Sequence, residues 1–146
     1  MLEQIKEDVR RYALEADHAG LCRHRSGNFS VRDAVNGFIC ITPTGMDRAE
    51  ITADDIVVID MEGHTIESLH DRKPTSELMM HIAIYRTRSD VRAIAHTHSR
   101  AATAFAVMNK PIPAIVYELS ILGCKEGCVP VAPYGRPGTH AAAENV

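Results

Sequence analysis

The sequence contains no tryptophan, no long run of charge and no apolar stretch approaching the ~18 residues that a membrane-spanning helix needs. Its N-terminal apolar pattern is interrupted by acidic residues, so neither a signal peptide nor a transit peptide is expected. Basic residues are not in excess, since 16 Lys and Arg stand against 19 Asp and Glu, and this balance argues against nucleic acid as a partner. With 45% apolar residues over 146 positions, one globular domain covering residues 1–146 is predicted.

Cysteine is sparse and follows no recognised pattern. Cys22 and Cys40 are isolated, and the three residues between Cys124 and Cys128 fit neither a zinc ribbon nor a thioredoxin-type motif. A domain of this size does not need disulfides to fold. We therefore expect reduced, buried thiols in a cytoplasmic protein.

Hydrophobic periodicity predicts alternating helices and strands. The short connections between the early strands, including a hairpin signal at Asn36-Gly37, favour a mixed or antiparallel sheet and an α/β or α+β class. Ser76 is the expected N-cap of the second helix. The predicted helices cover residues 2–19, 76–87 and 101–108, and the predicted strands cover residues 28–32, 37–42, 56–60, 91–97 and 114–117.

Histidine occurs eight times, and its clearest pattern is His96-Thr97-His98 at the end of the strongest predicted strand. Side chains at i and i+2 of a strand point to the same face about 7 Å apart, so the two imidazoles can bind one metal ion. A His-x-His pair also arises by chance among eight histidines. The pattern alone leaves both interpretations open.

The segment from Lys73 to Glu77 is a turn that leads into a predicted helix. The hydroxyls of Thr75 and Ser76 and the free N–H groups of a first helical turn could bind an anion. The same residues also suit simple helix capping, and Glu77 would then only favour the helix dipole. His81, one turn later, is either a partner of Glu77 or a core histidine with its own hydrogen bonds.

Two further loops combine glycine with hydroxyl or amide donors. They cover residues 26–30 (SGNFS) and 42–45 (TPTG). This composition suits a phosphate site and equally suits an ordinary turn.

In their order along the chain, the segments GNFSVR, ITPTG, PTSE, HTHS, IPAIVY and VAPYG resemble the class II aldolase/adducin family, and within it the zinc-dependent sugar-phosphate aldolases. The resemblance runs from the first helix to the last residues. It implies a three-layer αβα fold around a mainly antiparallel sheet, and a homotetramer with active sites between subunits. It also implies a cytoplasmic lyase that binds Zn²⁺ and a small sugar phosphate, with no nucleic-acid or membrane partner.

The resemblance assigns roles position by position. Glu77 matches the catalytic acid/base and can also ligate the metal, His96 and His98 match zinc ligands, and Tyr117 matches a tyrosine near the aldehyde partner. The phosphate-binding positions are matched by Gly27, Asn28, Thr44, Gly45, Thr75 and Ser76. We therefore expect neutral donors and backbone N–H groups, rather than a lysine, to hold the phosphate.

The sequence departs from the family pattern in two ways. The family completes its zinc site with a third histidine on a strand beyond the Gly138-Thr139 turn; this sequence ends before that point, and His140 lies too close to the turn. We expect either a C-terminally incomplete chain or a degenerate member with weakened metal binding, since Glu77 and two histidines still supply three ligands. Pro137 replaces a family phenylalanine, which leaves the sugar undefined.

Three alternatives share this scaffold. Ribulose-phosphate 4-epimerases resemble a Ser-Ser-Asp version of residues 75–77, so Glu77 favours an aldolase. A methylthioribulose-phosphate dehydratase would keep the same metal ligands. Adducin-like members are non-catalytic interaction modules that have lost those ligands; the presence of Glu77, His96 and His98 argues against that alternative, and the lack of the third histidine argues for it.

Overall fold

A computed structural model describes residues 2–121, 123–124 and 126–146. The helices are α1 (Leu2–His18), α2 (Leu78–Thr87), α3 (Arg100–Val107), α4 (Tyr117–Ile121) and α5 (His140–Glu144). The strands are β1 (Asn28–Arg32), β2 (Ile39–Ile41), β3 (Val57–Ile59), β4 (Thr65–Glu67), β5 (Ala93–His96), β6 (Ile112–Pro113) and β7 (Cys128–Val129). None of the helices in the described ranges combines the length and the apolar character that crossing a bilayer requires.

Five strands form one sheet in the order β4-β3-β2-β1-β5, and every neighbouring pair is antiparallel. Strand β1 therefore lies between its hairpin partner β2 and the much later strand β5. The β1–β5 register pairs Asn28 with His96. This pairing brings the GNFSVR and HTHS segments side by side.

Helix α1 covers one face of this sheet. Val9 and Ala13 of α1 are buried against Phe29, Cys40 and Val58, which point from three successive strands toward the helix. Glycine at position 20 has φ +74°, the left-handed conformation that commonly ends a helix.

Helix α2 covers the opposite face. Ile82 and Tyr85 are buried there against Ile39, Val57 and Ile59, the residues that alternate with those facing α1. Strands β2 and β3 at the centre of the molecule are thus buried on both sides, and the three-layer αβα architecture with an antiparallel sheet is confirmed.

Most predicted elements are present, with shifted ends. Helix α1 and strand β1 match their predicted spans closely, and Asn36-Gly37 lies in the turn between β1 and β2. The predicted N-cap is wrong: α2 begins at Leu78 with Glu77 at the N-cap position, and Ser76 lies one residue before it. The backbone that leads into α2 is instead fixed at Thr75, because the Thr75 N–H donates to the carbonyl of Thr42.

The predicted strand at 114–117 is also wrong. The strand of this region is β6, which pairs with β7 in a separate two-stranded sheet, and Tyr117 is the first residue of α4. Ile115 and Val116 are exposed, so their high β propensity is not matched by packing in a sheet.

The four cysteines are free thiols; Cys22 and Cys40 are buried, whereas Cys124 and Cys128 are only half-buried.

Candidate active site

Backbone hydrogen bonds hold two of the small-residue segments against each other. The N–H of Thr75 donates to the carbonyl of Thr42 at 3.1 Å, and the N–H of Thr44 donates to the carbonyl of Lys73 at 3.0 Å. The Thr42 hydroxyl in turn accepts from the N–H of Phe29 at 3.1 Å, which ties in the start of β1. Three loops that are distant in sequence therefore meet where β1 begins and β2 ends.

These loops enclose a cavity of about 220 Å³. The structure brings together there all six positions that the resemblance assigns to phosphate: Gly27, Asn28, Thr44, Gly45, Thr75 and Ser76. Their hydroxyl, amide and backbone groups are the donors that an anion site uses. That they bind phosphate stays a prediction.

Two arginines that the sequence motifs do not predict also line this cavity. Arg48 is only 3% exposed, and its guanidinium donates to the carbonyls of Ser26 and Gly27. Its Nε has no hydrogen-bond partner among the described residues. Arg25 is exposed and donates to the carbonyl of Gly45 at 3.1 Å. The cavity thus carries positive charge as well as neutral donors, and no local sequence signal distinguishes either arginine from a surface residue.

Glu77, His96 and His98 form a compact cluster beside the cavity. One potential ligand atom from each residue lies within 4.8 Å of the others. The Oε2 atom of Glu77 is 2.8 Å from Nδ1 of His96, and the two imidazole rings have centroids 5.0 Å apart. Zinc binds nitrogen and oxygen at about 2.0–2.2 Å, so two ligand atoms on one ion lie at most ~4.4 Å apart and small rotations suffice. The donor set fits a divalent cation.

The two histidines reach this cluster from different backbone settings. His96 is the last residue of β5, whereas His98 lies beyond the strand and is held by its N–H, which donates to the carbonyl of Leu21 at 2.8 Å. Burial lowers the pKa of His96, with Glu77 opposing and His98 reinforcing the shift. A neutral imidazole is the form that binds a metal.

His81 is a hydrogen-bonded core histidine that also contacts the site. It is fully buried, and its Nε2 lies 2.5 Å from Oδ1 of Asn28. Asn28 in turn donates from Nδ2 to Oε2 of Glu77 at 2.8 Å. His81 is therefore a core histidine with its own hydrogen bonds, and it is linked to Glu77 through Asn28 rather than by a direct contact.

A second cavity, of about 560 Å³, adjoins the cluster on its other side. Glu77 and His98 line both cavities, so they stand at the boundary between them. Tyr134 lines the larger cavity. Tyr117, the tyrosine that the resemblance assigns to the aldehyde partner, is 76% exposed at the start of α4 and is not among the described residues that line either cavity.

Comparison with known proteins identifies a matching family. The model of the class II aldolase and adducin N-terminal domain matches residues 7–146. The L-fuculose phosphate aldolase of Escherichia coli O6:H1 is 38% identical over 133 residues, which cover 91% of this chain and 59% of the relative. The 5-deoxy-D-ribulose 1-phosphate aldolase of Bacillus thuringiensis serovar kurstaki is 33% identical over 135 residues, which cover 92% of this chain and 62% of the relative.

The fold is likewise shared with solved structures. An L-fuculose 1-phosphate aldolase superposes with a TM-score of 0.88 at 35% identity, covering 97% of this chain and 65% of that one. An L-fuculose-1-phosphate aldolase from Thermus thermophilus has a TM-score of 0.74 at 28% identity, covering 93% and 65% of the two chains. The chain thus spans about three fifths of the length of the curated relatives it matches.

Proposed function

Because the chain belongs to the family of class II aldolase and adducin N-terminal domains, we propose that it provides the catalytic residues of a metal-dependent sugar-phosphate aldolase. Such a lyase makes or breaks a C–C bond next to the carbonyl of a ketose phosphate, as in the L-fuculose phosphate aldolases it resembles. The observation that carries the proposal is the position of Glu77, His96 and His98 beside a small cavity lined with anion-binding donors.

Glu77, His96 and His98 would hold the metal, and zinc suits this donor set because two imidazoles and a carboxylate leave a position open for substrate. When bound, the ion supplies Lewis acidity that makes the C–H next to a chelated carbonyl more acidic. The third histidine expected from the resemblance would add to this set in a longer chain. Metal binding by these residues separates the proposal from an adducin-like interaction module.

The smaller cavity would receive the phosphate. Ser76 and Thr44 offer hydroxyls, and the buried Arg48 offers a charge that its carbonyl partners do not neutralise. Phosphate held there would place the rest of the substrate at the boundary with the larger cavity, beside Glu77. A substrate fixed in this orientation reacts faster, because the reacting carbon is already placed beside the base.

Glu77 would ligate the metal when substrate is absent, and with substrate bound it would take the proton from the carbon next to the carbonyl. Its carboxylate is held by Asn28 and His96, and its backbone N–H donates to the Thr75 hydroxyl at 3.3 Å, so both ends of the residue are fixed. A positioned carboxylate is an effective general base because little rearrangement precedes proton transfer. A reverse transfer from Glu77 would serve the opposite direction of the reaction.

The resemblance also implies a cytoplasmic homotetramer. Exposed apolar residues support self-association: α3 buries none of its residues, and Val107, Met108 and Ile121 are more than half exposed. Exposed apolar patches of this kind commonly mark interfaces. Light scattering of the purified chain tests the assembly, and a monomer at micromolar concentration would contradict it.

The decisive experiment measures exchange of solvent deuterium into dihydroxyacetone phosphate by the zinc-loaded protein. Glu77→Gln keeps size and one acceptor but cannot take a proton at neutral pH, so we expect a loss of about 10²-fold or more. Glu50→Gln, a change at an exposed glutamate that lines neither cavity, is the matched control and should exchange like the parent. Undiminished exchange by Glu77→Gln would remove Glu77 from the chemistry, and no metal uptake by the parent would favour the interaction module.

A further inference from the structure

A line of buried polar side chains runs from Glu77 into the core between β1 and α2. Asn28, Ser30, His81 and Tyr85 are 4%, 1%, 0% and 1% exposed, respectively. Beyond the 2.5 Å contact between Asn28 Oδ1 and His81 Nε2, the Nδ1 atom of His81 lies 2.7 Å from the Ser30 hydroxyl, which lies 2.8 Å from the Tyr85 hydroxyl. Every contact is short enough to be a hydrogen bond.

The Glu77 carboxylate at one end and the buried hydroxyls at the other favour the same direction for each bond. An ionised carboxylate only accepts, so the Asn28 amino group faces Glu77 and its carbonyl oxygen faces His81. The oxygen lies 2.5 Å from Nε2 of His81 and 3.3 Å from Nδ1 of His96. Two acceptors would repel each other at 2.5 Å, so His81 carries its proton on Nε2 and leaves Nδ1 as an acceptor. Ser30 then donates to Nδ1, and its oxygen is free to accept the hydroxyl proton of Tyr85.

The opposite direction of the hydrogen bonds would place two acceptors against each other at Asn28 and Glu77. If His81 were protonated on Nδ1, its Nε2 would accept from the Asn28 amino group. The Asn28 oxygen would then face the Glu77 carboxylate, with two acceptors 2.8 Å apart. The alternative acceptor for Tyr85, the carbonyl of Arg92, is at 3.5 Å and competes poorly with Ser30.

We infer that Tyr85, Ser30 and His81 form a hydrogen-bond chain of fixed direction that holds the Asn28 amino group toward Glu77, so that Ser30 and His81 are positioning residues. The expected effects on deuterium exchange rest on the proposed function, whereas the expected tautomer of His81 does not. Burial supports it, because desolvation lowers the pKa of His81 to about 3 and a neutral ring has one donor and one acceptor nitrogen.

The chain would serve the site by preventing rotation of the Asn28 amide. A carboxamide turned by half a rotation fills the same space, so packing alone does not select one orientation. A Glu77 carboxylate that faced the amide oxygen would be repelled from its position beside His96. The donor at Ser30 therefore acts on Glu77 through two intervening side chains.

The first test is NMR of the metal-free chain at pH 7, which reads the protonation state of each ring nitrogen of His81. The ring resonances are assigned to His81 through scalar couplings to its Cβ. We expect a ring protonated on Nε2 and unprotonated on Nδ1, with slow exchange of the Nε2 proton. A ring protonated on Nδ1 would overturn the inference. This measurement needs neither turnover nor a variant.

The second test compares Ser30→Ala with Tyr85→Phe. Each removes one buried hydroxyl, but only Ser30→Ala removes the donor to His81, since Ser30 can still donate when Tyr85 cannot. We expect the second tautomer to appear in Ser30→Ala alone, with exchange into dihydroxyacetone phosphate lowered about tenfold or more, against less than about twofold in Tyr85→Phe.

The outcomes separate the two proposals. Equal effects of the two variants on both tautomer and exchange would overturn the inference and leave the aldolase proposal standing. A parent that takes up metal but shows no exchange would count against the aldolase proposal, and the tautomer measurements would then decide the hydrogen-bond chain alone.

Discussion

Replacing Gly27 by alanine tests how closely the residue before β1 approaches the end of β5, where His96 lies. Gly27 has φ +76°, a left-handed conformation that costs a residue with a Cβ about 1–2 kcal/mol. An added Cβ would lie 2.7 Å from the carbonyl oxygen of His96 and 2.7 Å from Sγ of Cys22. The first of these atoms belongs to the backbone of β5, so it cannot move without shifting the strand.

Gly20→Ala provides the control. Gly20 has almost the same φ, +74°, but an added Cβ would find no atom within 4 Å. The backbone strain and the loss of unfolded-state entropy are therefore matched, and the difference between the two variants isolates the close approach at Gly27. Overpacking of a buried contact typically costs about 1–3 kcal/mol.

We therefore expect Gly27→Ala to lower the free energy of unfolding by about 2–5 kcal/mol and Gly20→Ala by about 1–2 kcal/mol. Urea unfolding followed by far-UV circular dichroism measures both, because the chain has no tryptophan to report by fluorescence. Gly27→Ala should also weaken metal binding, since relief of the contact displaces His96. Equal stability of the two variants would show that Gly27 does not approach the His96 carbonyl as closely as described.

Three further predictions concern the cavity and the pH dependence. Ser76→Ala should raise KM for a phosphorylated substrate about tenfold or more with metal content unchanged, and equal kinetics would remove Ser76 from the site. Arg48→Gln should reduce the rise in Tm that inorganic phosphate gives the parent, measured by calorimetry; an undiminished rise would refute a phosphate contact. Burial opposes ionisation of Asp55, but hydrogen bonds from His70 and Arg72 hold its pKa below the usual range. The resulting stability is present above pH ~4 and lost as pH falls further, so the urea midpoint of Asp55→Asn should depend less on pH below 4, and parallel curves would contradict the assignment.

The elements that depend on local signals were predictable from the sequence. Helix α1 shows a regular apolar stripe and ends near Gly20, and β1 matches its predicted span. The predicted strand at 114–117 failed because an apolar, β-branched run does not reveal whether a neighbouring strand is available. Strand β4 was not predicted, since its three residues, TIE, carry too little alternation to stand out.

The candidate site divides in the same way. Glu77, His96 and His98 came from short motifs and their order along the chain, and the structure brings them together. Arg48 could not be found, because its role depends on the fold that buries it beneath the Gly27 loop. The direction of the hydrogen bonds through His81 likewise requires knowing that β1 lies against α2.

The pairing of Asn28 with His96 joins residues 68 positions apart and has a consequence for folding kinetics. In an unfolded chain, His96 and His98 are near each other, but Glu77 is not held beside them. The complete ligand set therefore forms only after β5 has docked on β1, and contacts of such sequence separation form slowly. Metal uptake should accordingly be a late event in refolding, following the recovery of helical circular dichroism, and added metal should slow unfolding more than it speeds folding.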